Sequence, residues 1–313
     1  MRKEGKKFVI TVFITDGLGN QMFQYAFARC LQLKTNNELQ FALNSFENDA
    51  ANREYGLANL CIDKSIHIIS NKEAKKKMLF VKLFSKIHSF IKTDETKRIL
   101  NKRLIYSFGR NVYDFFDTSK IDFSKKICVL GQYQNHRLFQ EYKEIIKNEL
   151  KVKTQPGEKN KKKIEEISSE NSVCVHIRRG DYLDKRWSHL NVCDDNYYYE
   201  AMKLMREKTI NPVFYVFSNT HDDIEWIKNN YDFSQYNVKY VDLNNPDYEE
   251  LRLMYSCRHF IISNSTFSWW AQYLGEYEEK KVVAPSKWNT RENIDDSGIY
   301  MDNWLLIDVD KRS

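Results

Sequence analysis

The sequence predicts an α/β protein of two domains, each a parallel β-sheet covered by helices. The 313 residues are 42% hydrophobic, which allows a large buried core. Strand and helix patterns alternate from residue 164 to residue 285, as parallel strands joined by crossover helices require. Between the two halves, residues 151–163 are rich in lysine and contain Gln155-Pro156-Gly157, which is typical of a linker.

We therefore expect a first domain at residues 1–153 and a second at residues 154–313, facing each other across a cleft. The terminal apolar segment ends in Asp308-Val309-Asp310, the only Asp-x-Asp of the chain. Because it lies away from every motif, we interpret it as structural and expect it to pack back on the first domain.

The first domain begins with a predicted strand, Phe8–Thr15, which precedes the turn Asp16-Gly17-Leu18-Gly19-Asn20-Gln21. The helix that follows has apolar residues at helical spacing, namely Met22, Phe23, Ala26, Phe27, Cys30 and Leu31. Further predicted elements are strands at Leu39–Leu43 and Ile127–Gly131 and a helix at Leu138–Leu150. The first apolar run lacks a small-residue cleavage site, so we interpret it as a strand and not as a signal peptide.

Lysine is concentrated in residues 72–103, where the apolar residues follow a helical period. Such a basic segment is compatible with peripheral contact with an anionic membrane surface, but we favour a helix pair packed on the first domain. The net charge of +6 would suit nucleic acid, anionic lipid or an anionic small ligand. Since lysine runs usually only face solvent, the charge is weak evidence for any partner.

The six cysteines are scattered and form no Cys-x-x-Cys pair, so neither a zinc site nor a disulfide framework is indicated. This usage favours a reducing compartment. No apolar run reaches 18 residues, so a transmembrane span is not expected. Together these features predict a cytoplasmic protein.

The second domain is predicted to alternate regularly. The expected strands are Val173–Arg178, Val213–Ser218, Val238–Val241, Phe260–Ser263 and, last, Val282–Ala284. The expected helices are Ile164–Ser168, Asn196–Glu207 with Asp194 as its cap, Asp222–Asn229, Asp247–Ser256 and Phe267–Leu274.

One stretch of this domain, Val173–Leu183, joins a buried strand to a charged turn. It delivers Arg178 and Arg179 to the carboxyl end of the strand, where Gly180 permits a sharp exit. Ligands of α/β sheets bind at that end, and guanidinium groups hold phosphate or carboxylate oxygens in fixed geometry. The alternative is a structural ion pair between one arginine and Asp181.

Two other strand ends carry polar residues. Ser218-Asn219-Thr220-His221-Asp222-Asp223 follows one strand, and Ser263-Asn264-Ser265-Thr266-Phe267-Ser268 follows another. The second run offers more hydroxyl and amide groups than a single helix cap needs, so we expect it to share an anionic ligand with the arginines. The turn at Gly17 and Gly19 is weaker evidence, because it lacks the third glycine of a dinucleotide fingerprint and the lysine of a P-loop.

Three segments together resemble the α-1,2-fucosyltransferases of glycosyltransferase family 11, most closely the bacterial members. They are Asp16–Arg29, Val175–Tyr182 and Ser263–Ala271, in the family's order. The resemblance implies a GT-B-like fold of two Rossmann-like domains, GDP-fucose as the donor, inverting transfer and no metal ion or other cofactor. It also implies that the second domain binds the nucleotide sugar and that the first serves the acceptor.

Carried over residue by residue, the resemblance implies that Arg178 contacts the diphosphate, with Arg179 in support. His176 and one of Asp222 or Asp223 would lie near guanine. The phosphates would be held by Ser265, Thr266, Phe267 and Ser268. Gly17, Gly19, Asn20 and Gln21 would reach the sugar and the β-phosphate from the first domain.

The chain departs from the family pattern in two places. Asp16 stands where the family usually has glycine, and Asn219-Thr220-His221 precedes the aspartate pair, so which aspartate reads guanine stays open. The acceptor hydroxyl needs a base, for which Asp16, Asp181 and Asp184 are candidates. We favour an orienting role toward the arginines for Asp181, and the base stays unassigned.

These observations predict transfer of fucose from GDP-fucose to the 2-hydroxyl of a galactose-like residue on a glycan or lipid-linked oligosaccharide. One alternative is a transferase of the same fold with another GDP-sugar or linkage. A second alternative, of a different class, is a basic nucleic-acid-binding protein. We expect no nucleic-acid partner, and the sequence indicates no oligomeric state.

Overall fold

The computed structural model describes residues 8–48, 53–90, 104–106, 112–115, 117–121, 123, 127–180, 185–291 and 294–310. Within it the chain forms two compact units, Met1–Leu150 and Lys151–Ser313. Each unit contains one sheet, and every strand pairing in both sheets is parallel. Parallel strands need crossover connections, and in the second unit an α-helix lies between each pair of successive strands from Ser172–His176 to Val282–Pro285.

The first unit has a five-stranded sheet in the order β3-β2-β1-β5-β4. Its strands are β1 Val9–Phe13, β2 Glu38–Ala42, β3 His67–Ile68, β4 Leu104–Tyr106 and β5 Ile127–Leu130. Its helices are α1 Leu18–Thr35, α2 Asn71–Phe90 and α3 Lys143–Glu149, with short 3₁₀ turns at Phe46–Asn48, Gly56–Asn59, Thr118–Lys120, His136–Leu138 and Gln140–Tyr142. The predicted helix at Leu138–Leu150 was too long, since its first residues form 3₁₀ turns and the α-helix begins only at Lys143.

Helix α1 is buried along most of its length, so its polar residues need partners inside the unit. Arg29 forms ion pairs with Glu149 at 2.7 Å and Asp63 at 2.5 Å, and the Tyr25 hydroxyl donates to Glu149 at 2.5 Å. Gln24 accepts from the Thr15 backbone N–H at 3.0 Å. These bonds fix the helix, and with it the turn that precedes it, against the sheet.

The second unit has a six-stranded sheet in the order β11-β10-β9-β6-β7-β8. Its strands are β6 Ser172–His176, β7 Val213–Phe217, β8 Val238–Tyr240, β9 His259–Ile261, β10 Val282–Pro285 and β11 Leu305–Ile307. Its helices are α4 Glu158–Ser169, α5 Asp195–Lys208, α6 His221–Asn230, α7 Asp247–Tyr255 and α8 Thr266–Leu274, with 3₁₀ turns at Lys185–Leu190 and Ser297–Ile299.

Strand β6 lies between β9 and β7, and all five of its residues are buried, which explains why its three central residues are apolar. The core on one side of this sheet packs β6 and β7 against helix α5. The predicted cap of that helix is confirmed, since the Asp194 carboxylate accepts from the Tyr197 N–H at 3.0 Å.

The end of the chain corrects one prediction. Val282–Pro285 is not the last strand, because Leu305–Ile307 pairs with it and adds an edge strand to the second sheet. The Asp308-Val309-Asp310 motif is tied to this edge: Lys287 contacts Asp310 at 2.6 Å, and the Val309 N–H donates to Ser286 at 3.2 Å. Its carboxylates follow a paired strand, and the segment thus belongs to the second sheet.

Among the residues that the structure describes, no helix is both long enough and apolar enough to cross a lipid bilayer.

Candidate active site

The carboxyl end of β6 makes the sharp exit that the sequence predicts. Gly180 has φ +44, in the left-handed region that favours glycine, and an added Cβ would lie 3.5 Å from the Asn219 side chain. The Ile177 N–H donates to the Phe217 carbonyl at 3.0 Å, which extends the register with β7 by one residue. Arg178 and Arg179 follow immediately at the carboxyl edge of the sheet, and both are half-buried.

Arg179 is held from helix α6. Its Nε lies 3.3 Å from Asp223 Oδ1, and its guanidinium carbon lies 3.2 Å from the centroid of the Trp226 ring. Charge pairing with Asp223 and stacking on the Trp226 ring leave the flat guanidinium few alternative positions. The arginine is therefore fixed in advance at the end of the sheet.

The aspartate pair divides into two environments. Asp223 contacts Arg179 through one oxygen and accepts from the Thr220 hydroxyl through the other at 2.9 Å. Thr220 also caps helix α6, since its Oγ1 accepts from the Asp223 N–H at 3.1 Å. Asp222 is exposed on the first turn of the same helix. The carboxylate available to an outside ligand is therefore that of Asp222.

The hydroxyl-rich turn after β9 is largely turned inward. Ser263 and Ser268 are fully buried, and the Ser268 hydroxyl bonds to the carbonyls of Ser263 and Ser265 at 3.2 and 3.1 Å. Asn264 donates to two backbone carbonyls, at 2.8 and 2.9 Å. The Ser268 hydroxyl thus braces the turn, and the role expected for this residue toward phosphate stays a prediction.

The start of helix α8 is the part of this turn that faces outward. Ser265 caps the helix by accepting from the Phe267 N–H at 3.3 Å, and Thr266 and Phe267 are half-buried. The N-terminus of a nine-residue helix thus follows β9, the strand beside β6. Backbone N–H groups and the helix dipole at such a position favour an anion.

His176 lies inside the second unit rather than on its surface. The ring is 3% exposed, and its Nδ1 lies 2.9 Å from the Ser263 hydroxyl. Burial, with a smaller contribution from the positive charge of Arg178, lowers the pKa of His176 to about 3, so the imidazole is neutral at physiological pH. The ring braces β6 against the turn after β9, and its expected position near guanine stays a prediction.

In the first unit, the turn between β1 and α1 has its unusual backbone at Asp16. Asp16 has φ 65, whereas Gly17 has φ −73 and ψ 167. Left-handed backbone is uncommon outside glycine, and aspartate is among the residues that tolerate it. The Asp16 carboxylate accepts from Thr15 at 2.8 Å and from Gln132 at 3.3 Å and lies 3.6 Å from Arg53.

Gln21 and Asn20 differ in what they leave available. Gln21 is fully buried and donates to the carbonyls of Asp16 and Glu54, each at 2.8 Å. The amide ties the turn to a neighbouring loop, and the expected contact of Gln21 with the donor stays a prediction. Asn20 is half-buried and accepts from Gln134 at 2.8 Å.

Gly17 has open space beside it, since an added Cβ would meet no non-neighbouring protein atom within 4 Å. The protein's own packing therefore does not require glycine at this position. Asp181 and Asp184, two of the three candidate bases, lie outside the described residues.

One group in the described part of the chain has the composition of a metal site. The ligand atoms of His221, Glu225 and Asp242 all lie within 4.8 Å of one another. His221 Nδ1 is 2.5 Å from Asp242, and Glu225 pairs with Lys228 at 2.6 Å. The carboxylate of Asp242 raises the pKa of His221, as expected for an ion pair. We interpret the group as paired surface charges.

The sequence model described as Glycosyl transferase family 11 matches residues 9–308, which include both sheets and every element of the site. The chain belongs to this family. The resemblance of its three motifs is thereby confirmed, and the protein is a glycosyltransferase.

Two proteins with related sequences have names that state their activity. An alpha-1,2-colitosyltransferase of Escherichia coli is 32% identical over 308 residues, which cover 96% of this chain and 99% of that protein. The human galactoside alpha-(1,2)-fucosyltransferase 1 is 38% identical over 107 residues, which cover 33% of this chain and 28% of that protein.

The fold of this glycosyltransferase is of the GT-B type, as expected. The structure of a mutant of Arabidopsis thaliana FUT1 in complex with GDP aligns with a TM-score of 0.51 at 13% identity, covering 93% of this chain and 74% of that one. At this identity the likeness shows the fold alone.

The structure adds residues that sequence reasoning left out of the site. Trp226, Arg53 and Gln132 all contact site residues directly. Gln132 follows the end of β5 closely, so the rule used for the second unit, polar residues directly after a strand, would have found it. Trp226 lies three residues after Asp223 on the same helix, a spacing that places both on one face.

Proposed function

We propose that this glycosyltransferase transfers fucose from GDP-fucose to the 2-hydroxyl of a galactose-like residue, with inversion at the sugar's anomeric carbon. One observation carries the proposal: the polar ends of three adjacent strands, β9, β6 and β7, present an anion-binding helix start, two arginines and the aspartate that fixes one of them. A diphosphate is the ligand that such a combination fits.

The reaction places its chemical demand on the leaving group. The acceptor oxygen forms a bond to the anomeric carbon, the bond from that carbon to the β-phosphate oxygen breaks, and GDP takes the electron pair. The sugar becomes oxocarbenium-like while charge grows on the phosphate. Arg178, with Arg179 in support, and the backbone N–H groups of Thr266 and Phe267 would stabilise that charge, and because they are fixed beforehand they need no reorganisation.

We assign the remaining donor contacts as follows. Asp222 is the better candidate for guanine, since both oxygens of Asp223 are engaged. Gly17, Gly19 and Asn20 would approach the sugar and the β-phosphate, while Gln21 shapes their turn. The first unit would serve the acceptor.

The base that accepts the proton of the acceptor hydroxyl would be Asp184 or, if it does not orient the arginines, Asp181. Asp16 is the weaker candidate because its carboxylate already contacts Thr15, Gln132 and Arg53. We propose that it holds the turn.

We propose that transfer needs no metal ion, because the arginines and the helix start would supply the positive potential that a cation supplies elsewhere. EDTA would then leave the rate unchanged. Inhibition by EDTA that added Mg²⁺ or Mn²⁺ reverses would contradict this and would make His221, Glu225 and Asp242 the first positions to test.

A second donor is favoured by one observation: a relative that matches 96% of the chain bears the name of a colitosyltransferase. Colitose is fucose without its 3-hydroxyl. Parallel assays with GDP-fucose and GDP-colitose decide between the two, and preference for GDP-colitose would replace the donor while leaving the site as described.

The working location that we propose is the cytoplasm, where GDP-sugars are made, with contact at the inner membrane face if the acceptor is a lipid-linked oligosaccharide.

Arg178→Ala is the direct test of the site. We expect the variant to fold and to lose about 100- to 1,000-fold in turnover, the usual effect of removing one donor that stabilises a transition-state charge. Equal turnover of variant and wild type would contradict the assignment. Nucleic-acid binding that persists in this variant and weakens with salt would support the rival function.

A further inference from the structure

Helix α2 packs on the first unit through one apolar face. Ala74 and Val81 are buried, and Met78 packs beside them against a core cluster that includes Phe13 and Ala42. The three helix residues follow the spacing i, i+4, i+7 of a single helical stripe. This inner stripe meets the helix's need for a packing surface.

The opposite face of α2 is also apolar. The side chains of Leu79, Phe80 and Leu83 are 69%, 47% and 55% exposed. Leu79 and Leu83 lie one turn apart, on the far side of the helix from Ala74 and Val81. Neighbouring exposed apolar side chains of this size commonly mark an interaction surface.

Positive charge surrounds this outer face. Residues 71–83 contain five lysines and a single acidic residue, Glu73. Lys75 and Lys77 form ion pairs with Glu47 at 2.6 Å and Glu73 at 3.5 Å. Lys72 and Lys76 are exposed, and together with Leu79 and Leu83 they follow the spacing i, i+4, i+7, i+11. We call these four residues the outer stripe.

We propose that the outer stripe, with Phe80 beside it, docks on an anionic lipid bilayer, the helix lying in the plane of the interface. Leucine and phenylalanine side chains would enter the boundary of the acyl region, and the lysines would reach the headgroups on their long apolar stems. A second copy of this chain is the poorer occupant, because two such lysine-rich faces repel each other. Nucleic acid is poorer still, since it offers no apolar depth to the leucines.

Docking of this kind would help a transferase whose acceptor is held in a membrane, because it would confine the first unit to the plane that contains the acceptor. The docking proposal does not depend on which sugar donor the enzyme uses. Failure of the docking test would leave the transfer reaction untouched, and failure of the transfer reaction would leave the docking test valid.

Flotation of the full-length protein with phosphatidylcholine vesicles, with and without phosphatidylglycerol, tests the proposal. We expect binding only when phosphatidylglycerol is present. One lysine near an anionic surface contributes roughly five-fold in affinity, so Lys72→Glu with Lys76→Glu should weaken binding by more than about 25-fold. Leu79→Ser with Leu83→Ser should weaken it by roughly ten-fold or more, because the apolar contribution is lost.

The second unit supplies matched controls. Lys161→Glu with Lys162→Glu makes the same change in net charge on another exposed helix surface, and Ile210→Ser removes an apolar side chain that is 83% exposed. Both should bind vesicles like wild type, and all variants should keep wild-type melting temperatures and transfer to a soluble acceptor.

Three results would overturn the proposal. They are equal flotation of the outer-stripe and control variants, no flotation of wild type on anionic vesicles, and an oligomer that Leu79→Ser with Leu83→Ser converts to monomer without any binding to vesicles. The last result would assign the surface to a second copy.

Discussion

Replacing Gly17 with alanine would test whether a ligand closely approaches the turn after β1. Gly17 already has backbone angles that alanine adopts, φ −73 and ψ 167, and an added Cβ meets no non-neighbouring protein atom within 4 Å. The methyl group extends about 1.5 Å from the Cα atom. A sugar or phosphate in van der Waals contact with Gly17 would have to move by roughly that distance, and a 1 Å displacement can cost about 100-fold in rate.

Gly157 provides a matched control for this variant. It caps helix α4 as Gly17 caps α1, with φ −64, ψ 163 and equally open space beside it. Alanine destabilises the folded state because it is a poorer helix cap than glycine, but it also lowers the conformational entropy of the unfolded chain, which is stabilising. Since these two effects offset each other, both variants should stay within about 1 kcal/mol of the wild-type free energy of unfolding. The assay is kcat/KM for transfer, with urea unfolding in parallel. Gly17→Ala turning over as fast as Gly157→Ala would refute a close approach of the ligand.

Three other substitutions probe the site and its supports. Trp226→Leu removes the ring that lies 3.2 Å from the guanidinium carbon of Arg179, so the affinity for GDP, measured by calorimetry, should fall by about two- to thirty-fold. An unchanged Kd would argue that Trp226 does not hold Arg179 in place for GDP. Asp16→Gly should keep turnover within about ten-fold in the transfer assay, whereas a loss beyond about 100-fold would identify Asp16 as the base. The pKa of His176 is lowered to about 3 in the folded protein, so as the pH falls the imidazole is protonated in the unfolded chain before it is protonated in the folded one. The free energy of unfolding of wild type should therefore decrease below pH ~6.5, by up to about 1.4 kcal/mol per pH unit. Urea unfolding at several pH values would contradict this if the free energy of unfolding fell equally steeply for wild type and His176→Asn.

The sequence was sufficient to predict structure where a segment is so apolar that it has to be a buried strand. Strand β6 is buried throughout because sheet neighbours cover it on both edges, and its central residues are apolar. Its position, its sharp exit at Gly180 and the placement of Arg178 and Arg179 could therefore all be inferred. The left-handed residue of the first turn could not, since a tight turn with two glycines does not indicate that Asp16 takes the positive φ.

Residue type also did not reveal which polar groups face inward. Ser268 and Gln21 carry the groups that bind phosphates and sugars elsewhere, yet both are fully buried and bond to backbone carbonyls. A hydroxyl at the start of a helix can serve a ligand or the turn itself, and only the surrounding packing decides between them. The same holds for His176, whose ring braces Ser263.

The most direct test of the central claim is transfer from GDP-fucose to a panel of β-galactosides, with and without EDTA, and with the linkage of the product determined by NMR. We predict a fucose-α-1,2-galactose product that forms equally well in EDTA. A protein that binds GDP yet transfers no fucose, or one that attaches it at another hydroxyl, would contradict the proposed reaction, and failure to bind GDP would contradict the site itself.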